Sequence, residues 1–261
     1  MTISVKEVCE LALETGRIML QNGGTTNRCE KMMTTVCAAY GYQRTESFVT
    51  PTGIFLTVLD KDNNATTQIK RIEGRRIDLG KVSKLSSIII ELKNCGKKGG
   101  ESCDYRHLMA KLKEVDSYNP WSEWVKLFFG GMTSGCFCLL FGGSWAEFAV
   151  AYAVGILVSI SMRLIVLLQV NNFLLHALGA ALVVVFAKIL DTWVPGIKLD
   201  NIIIGGIMLL VPGLAITNAI RDTMSGDLVS GTARGVEAFL LSVAIAAGSG
   251  SMLKIWALVG Y

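Results

Sequence analysis

Residues 201–237 read NIIIGGIMLLVPGLAITNAIRDTMSGDLVSGTARGVE, and the meaning given to this stretch decides how the rest of the chain is understood. It opens as an apolar run fit for a bilayer, is interrupted at Pro212-Gly213, and turns polar through Thr217, Asn218, Arg221, Asp222, Asp227, Arg234 and Glu237. Proline has no N–H to donate and clashes with the preceding turn, so hydrocarbon tolerates it only where protein or water compensates. Two readings stand open on these residues alone. Either Pro212 kinks a well-packed helix and the charges begin a loop, or a broken helix with charge behind it forms a transport site. The second is the default for ionisable groups at membrane depth.

Working outward, the 261 residues are 51% hydrophobic and only 18% charged, with a mean hydropathy of +0.48. Soluble domains carry about 25% charged residues, so the balance points to a membrane protein. Residues 1–122 hold 18 Lys+Arg against 14 Asp+Glu, while 123–261 hold 7 of each, which places the whole net charge of +4 in the first part. The opening MTISVKEVCELALETGRIML has acidic residues inside its apolar pattern and no cationic segment ahead of a continuous apolar run. It reads as no signal peptide, and the first part is expected to stay in the cytoplasm.

Within that first part, Val5, Val8, Ala12, Thr15 and Met19 recur at helical spacing and predict a helix over 3–20, ended at Asn22-Gly23-Gly24. A second helix is predicted over 26–40, capped by Thr25 or Thr26 and stopped by Gly41. β-branched and aromatic runs between the PTG and KDNNA turns predict a three-stranded antiparallel meander over 44–72. Asp78 is placed to cap a third helix running to Leu92, NCGKKGG reads as a break, and a last helix is predicted over 105–115. SYNPWSEW then leads toward the membrane, with Trp121 and Trp124 at interfacial level. Arg28 and Glu30 on the second helix are open to two roles, an internal ion pair with the sheet or a contact to the membrane part.

A bilayer span needs about 20 mainly apolar residues. The candidates are 124–142, 146–168, 172–190, 201–220 and 232–257. The expected architecture is therefore an α+β cytosolic domain, residues 1–118, followed by an all-α membrane domain of about five transmembrane helices, residues 119–261. Five crossings would put the two termini on opposite sides. Arg163, near the end of the second candidate span, either snorkels to the headgroups or binds an anion in a water-filled cavity.

The seven cysteines, Cys9, Cys29, Cys37, Cys95, Cys103, Cys136 and Cys138, include no CxxC pair, and His107 and His176 are isolated. No disulfide, metal site or cofactor is expected from them. NGGTTNRCE lacks the Gly-Lys-Ser/Thr close of a phosphate loop, and no GxGxxG is present. With no convergent nucleophile, no metal cluster and no nucleic-acid motif, neither an enzyme nor a nucleic-acid partner is expected.

The ordered set GGTTNRCE, FVTPTGIFLTV, IDLGKVSKL, FGGSW and IIIGGIMLLVPGLAITNAIRDTMSGDLVSGTARGVEA resembles the threonine/serine exporter family along nearly the whole chain. Cys29 stands where that family usually has Val. The resemblance implies an inner-membrane, multi-pass exporter of small amino acids or dicarboxylates with a cytoplasmic amino-terminal domain. Because the chain is similar to the first half of the longer members, it also implies the split form associated with succinate. In that form a second small integral membrane subunit completes an oligomer. The family's signature falls on Pro212, Gly213, Thr217, Asn218, Arg221 and Asp222, with Asp227 next.

On a helix resuming after Gly213, Thr217 and Arg221 share one face and Asn218 and Asp222 another. The first pair could hold a substrate carboxylate, and the second the other end of the substrate or a coupling proton. The expected substrate-binding or gating residues are thus Pro212, Gly213, Thr217, Asn218, Arg221, Asp222, Asp227, Arg234, Glu237 and Arg163. A dicarboxylate would need two cations, Arg221 with Arg163 or Arg234; threonine or serine would need one cation and an anion such as Asp222 or Asp227. A membrane-anchored sensor and a channel remain alternatives, a channel being distinguished by flux that does not saturate.

Overall fold

The computed structural model describes residues 3–74, 76–96, 104–194 and 196–259. Helices α1 (Val5–Gln21) and α2 (Thr26–Ala39) lead into strands β1 (Thr45–Thr50), β2 (Gly53–Leu59) and β3 (Ala65–Arg71). Helices α3 (Leu79–Gly96), α4 (Tyr105–Ser117), α5 (Glu123–Leu140), α6 (Trp145–Val166) and α7 (Asn172–Asp191) follow. The chain ends in α8 (Leu199–Met208), α9 (Gly213–Met224) and α10 (Leu228–Val259). It divides into two compact units, 1–119 with 214–235, and 120–213 with 236–261.

In the first unit, α1 starts at a capping box in which the Ser4 hydroxyl accepts the Glu7 N–H at 3.3 Å and the Glu7 carboxylate accepts the Ser4 N–H at 2.9 Å. Its apolar stripe, with Val8, Leu11, Ile18 and Met19 fully buried, packs with Met33 and Val36 of α2 and with Ile54, Leu56 and Val58 of β2. The sheet is an antiparallel meander in the order β1-β2-β3, and its register aligns Phe48 with Phe55 and Phe55 with Ile69. Leu85 of α3 and Leu112 of α4 close the same core. Asp78 caps α3, its carboxylate accepting the Lys81 N–H at 3.1 Å. Of the break predicted at 94–100, residues 97–100 lie outside the described residues, and 94–96 form the end of α3 instead of a break.

The second unit packs α5 to α8 and the rest of α10 around Val150, Val154, Val158, Val183, Val184 and Ile202. Small residues let its backbones approach closely, the usual driver of helix association where lipid is as apolar as leucine. At Gly205 a Cβ would lie 2.5 Å from the Ser134 carbonyl oxygen, and at Gly155 one would lie 3.0 Å from the Gly130 oxygen. Gly205→Val is therefore expected to lower stability by about 1–3 kcal/mol, the usual range for overpacking a dense interior, measured as a fall in melting temperature in detergent.

Two features of the expected architecture are corrected. Among the described residues, α6, α7 and α10 are the helices long and apolar enough to cross a membrane, and α8 with α9 adds a fourth only if taken as one broken span. The predicted span at 124–142 is α5, 18 residues long with Glu123 and Lys126 in its first turns. The predicted span at 201–220 divides at 209–212, where Pro212 supplies no N–H to continue α8. The second correction concerns order along the chain. An α+β domain is not simply followed by a membrane domain, because residues 214–235 return to the first unit.

Candidate functional site

The returning segment supplies a buried polar cluster inside the first unit. The reason lies in two i, i+4 pairs, Asn218 with Asp222 on α9 and Ser230 with Arg234 on α10, each presenting two polar groups from one helix face. Their exposures are 5%, 0%, 2% and 6%, so each must find partners within the protein. They find them on the turn between α1 and α2 and on β1.

Asn218 Nδ2 donates to the Gly23 carbonyl at 3.0 Å, and Arg234 Nη2 donates to the Gly24 carbonyl at 3.0 Å. Gly23 adopts a φ of 94°, a left-handed conformation that glycine takes without penalty. Asp222 accepts from the Thr26 N–H at 3.3 Å and from the Thr26 hydroxyl at 3.0 Å, and pairs with Arg234 Nε at 3.2 Å. Thr25 occupies the N-cap position of α2 but its side chain makes no capping bond. The cap comes instead from Asp222, 196 residues away, whose negative charge suits the positive end of the helix. Ser230 Oγ donates to the Val49 carbonyl at 3.2 Å, while the Val49 N–H donates to Glu30 at 3.2 Å. Arg28 donates to Ser86 on α3 at 2.6 Å.

Thr217 and Arg221 lie on the exposed face of α9, away from the cluster, with Thr217 Oγ1 donating to the Leu214 carbonyl at 3.1 Å. Arg221 has no ion-pair partner among the described residues. Pro212 and Gly213 form the break ahead of α9, and Glu237 is half-buried on the part of α10 belonging to the second unit. Arg163 also belongs to the second unit, where it pairs with Glu123 at 2.7 Å. Of the expected residues, the fold thus brings Asn218, Asp222 and Arg234 together, with Asp227 adjoining.

Asp227 precedes α10 and its N–H donates to the Asp222 carbonyl at 2.9 Å. Its Oδ2 is buried without a hydrogen-bond partner among the described residues. Burial, then the Asp222 charge, push its carboxyl above the usual range, and burial with the Asp227 charge does the same to Glu30 against the lowering effect of the Val49 N–H. A raised folded-state pKa means that the stabilising proton is fully bound in acid and lost as pH rises through that value. Asp227→Asn keeps the shape and discards the charge. It is expected to raise the urea midpoint at pH 7 and to leave it unchanged at pH 3, where the wild-type carboxyl is protonated too.

Thr26, Glu30, Ser230 and the carbonyls of Gly23 and Gly24 were not expected in this cluster. Glu147 is a further unforeseen residue, 4% exposed in the second unit. Its carboxylate accepts from the Ser144 N–H, the Lys198 N–H and Asn201 Nδ2 at 2.9, 2.7 and 2.9 Å, closing its own helix and the start of α8. The Ser144-x-x-Glu147 spacing is a capping-box signal, though it gives no hint of the second task.

Several apolar helices, one of them preceded by a broken and polar segment, define the class as a multi-helix membrane protein. Residues 10–256 match the family described as "Putative threonine/serine exporter", and the chain belongs to that family of transporters. It is 24% identical over 98% of its length to "Probable succinate transporter subunit YjjP" of Escherichia coli (strain K12), covering 97% of that protein. A Klebsiella aerogenes protein of the same name is 23% identical, with 98% and 96% covered. "Probable threonine/serine exporter" of Mycobacterium tuberculosis (strain ATCC 25618 / H37Rv) is 22% identical over 94% of this chain and only 46% of that one. No solved structure matches.

Proposed function

We propose that this chain is one subunit of an inner-membrane exporter of small carboxylates, succinate or a similar dicarboxylate, acting beside a second small integral membrane subunit. The observation that carries the recognition step is the division of charge on α9. Asp222 and Arg234 neutralise each other inside the first unit, whereas Arg221 is exposed beside Thr217 and has no ion-pair partner among the described residues. The Arg221 guanidinium offers a carboxylate a charged donor, and a hydrogen bond to a charged group contributes about 1.5–3 kcal/mol. That strength suits a carrier, which must release what it binds.

Succinate as substrate and the need for a second subunit rest on the Escherichia coli relative, similar along nearly the full length of both chains and named a succinate transporter subunit. In this reading Pro212-Gly213 ends α8 and frees α9 to present Thr217 and Arg221, while Asn218, Asp222 and Arg234 hold α9 in position. Arg163 and Glu237 are assigned no substrate contact.

A threonine/serine exporter subunit is the second reading, favoured by the Mycobacterium tuberculosis relative; Asp227, with one oxygen lacking a donor among the described residues, would then face the substrate ammonium. Counterflow in vesicles decides between them. With this chain and its partner subunit both present, labelled succinate should exchange in a saturable way and threonine should not. Exchange of threonine alone would favour the second reading, and full transport by this chain alone would refute the two-subunit assembly.

A further inference from the structure

The sheet of the first unit buries one face on the core and leaves the other open. Because side chains alternate along a strand, the register sets three rows across that open face: Glu46-Thr57-Thr67, Phe48-Phe55-Ile69 and Thr50-Gly53-Arg71. The middle row is apolar on all three strands, with Phe48 57%, Phe55 42% and Ile69 65% exposed, and the two rings lie 6.2 Å apart. An aligned, exposed apolar row across a whole sheet marks a surface that something covers.

The charges identify what covers it. Phe55 is the centre of the three-by-three grid, and Glu46 and Arg71 occupy diagonally opposite corners. Both are exposed, and neither has an ion-pair partner among the described residues. We propose that this face is an interface with a second copy of the chain. A two-fold axis parallel to the sheet and midway between the two copies, passing over Phe55 and perpendicular to the Glu46–Arg71 diagonal, sets Glu46 of each copy over Arg71 of the other. The two apolar rows then stack between the two ion pairs, with the strands crossing steeply as in orthogonal sheet packing. One charge of each sign, exchanged by a single rotation, is what a self-complementary contact requires. An anionic lipid surface would instead favour a cluster of Lys and Arg.

The grid spans about 10 Å by 14 Å between corner positions. That is small beside the roughly 800 Å² per partner of a stable soluble complex. The contact is therefore weak for a free domain and serves chains already confined to one membrane, where their effective concentration is high. It is independent of which substrate is carried.

The test uses the full chain in membrane vesicles with Phe55→Cys, which brings the introduced thiols of two copies face to face across the axis, within the roughly 10 Å spacing of stacked sheets. A bismaleimide of that reach should give a covalent dimer that the unsubstituted chain and Asn63→Cys do not. Adding Glu46→Arg or Arg71→Glu should each cut the yield at least tenfold, and the two together should restore at least half of it. No dimer from Phe55→Cys, yields indifferent to the single reversals, or no recovery in the double reversal would overturn the proposal and leave a membrane surface or a different protein as the occupant.

Discussion

Asp222→Ala is expected to destabilise the first unit by about 3–5 kcal/mol, the range found when one partner of a buried ion pair is removed. The loss has three parts. Arg234, 6% exposed, keeps its charge but loses its counter-ion; the Thr26 N–H and hydroxyl lose their acceptor; and α2 loses the carboxylate at its positive end. Against a typical total stability of about 5–15 kcal/mol, this is a large share of the whole. Removing both charges, in Asp222→Ala with Arg234→Ala, is expected to cost less than the sum of the single changes, since no buried charge is then left alone. Thermal melting of the four proteins in one detergent checks both statements. A single-variant loss below 1 kcal/mol would mean that water reaches the pair.

Much of the first unit was legible in the sequence because its period is local. The 3.6-residue recurrence through Val8, Ala12 and Met19, the turn residues around β2 and the cap at Asp78 each act over a few positions, and α1, the meander and α3 stand there. Long-range polar pairing left no comparable trace. Asn218 and Arg234 bond to the carbonyls of Gly23 and Gly24, 195 and 210 residues away, and a backbone carbonyl has no residue identity to read. The same polar pattern therefore fitted a span end and a returning segment equally well.

The count of spans failed for a related reason. Composition alone placed residues 124–142 with the crossing helices, but Glu123 and Lys126 set α5 apart from the three long apolar helices. Likewise Pro212 and the polar residues behind it turned the predicted fourth span into two helices in different units. Within the candidate site, the spacing did resolve α9 into a Thr217–Arg221 face and an Asn218–Asp222 face. Which face was buried depended on the turn at Gly23, outside any sequence window around α9.

That division makes opposite outcomes expected on neighbouring residues. Asp222 variants should fail by losing fold, whereas Arg221, exposed and outside the cluster, should leave the fold intact and affect transport alone. Losing a charged hydrogen bond worth about 1.5–3 kcal/mol corresponds to roughly a tenfold to hundredfold loss of substrate affinity. Arg221→Lys should recover part of it, because an ammonium keeps the charge without the planar two-point geometry. The most direct measurement is saturable succinate counterflow by Arg221→Ala, assembled with the partner subunit and melting at the wild-type temperature. A rise in half-saturating succinate of at least about tenfold is expected, and wild-type counterflow from that folded variant would contradict a carboxylate carrier that reads its substrate at α9.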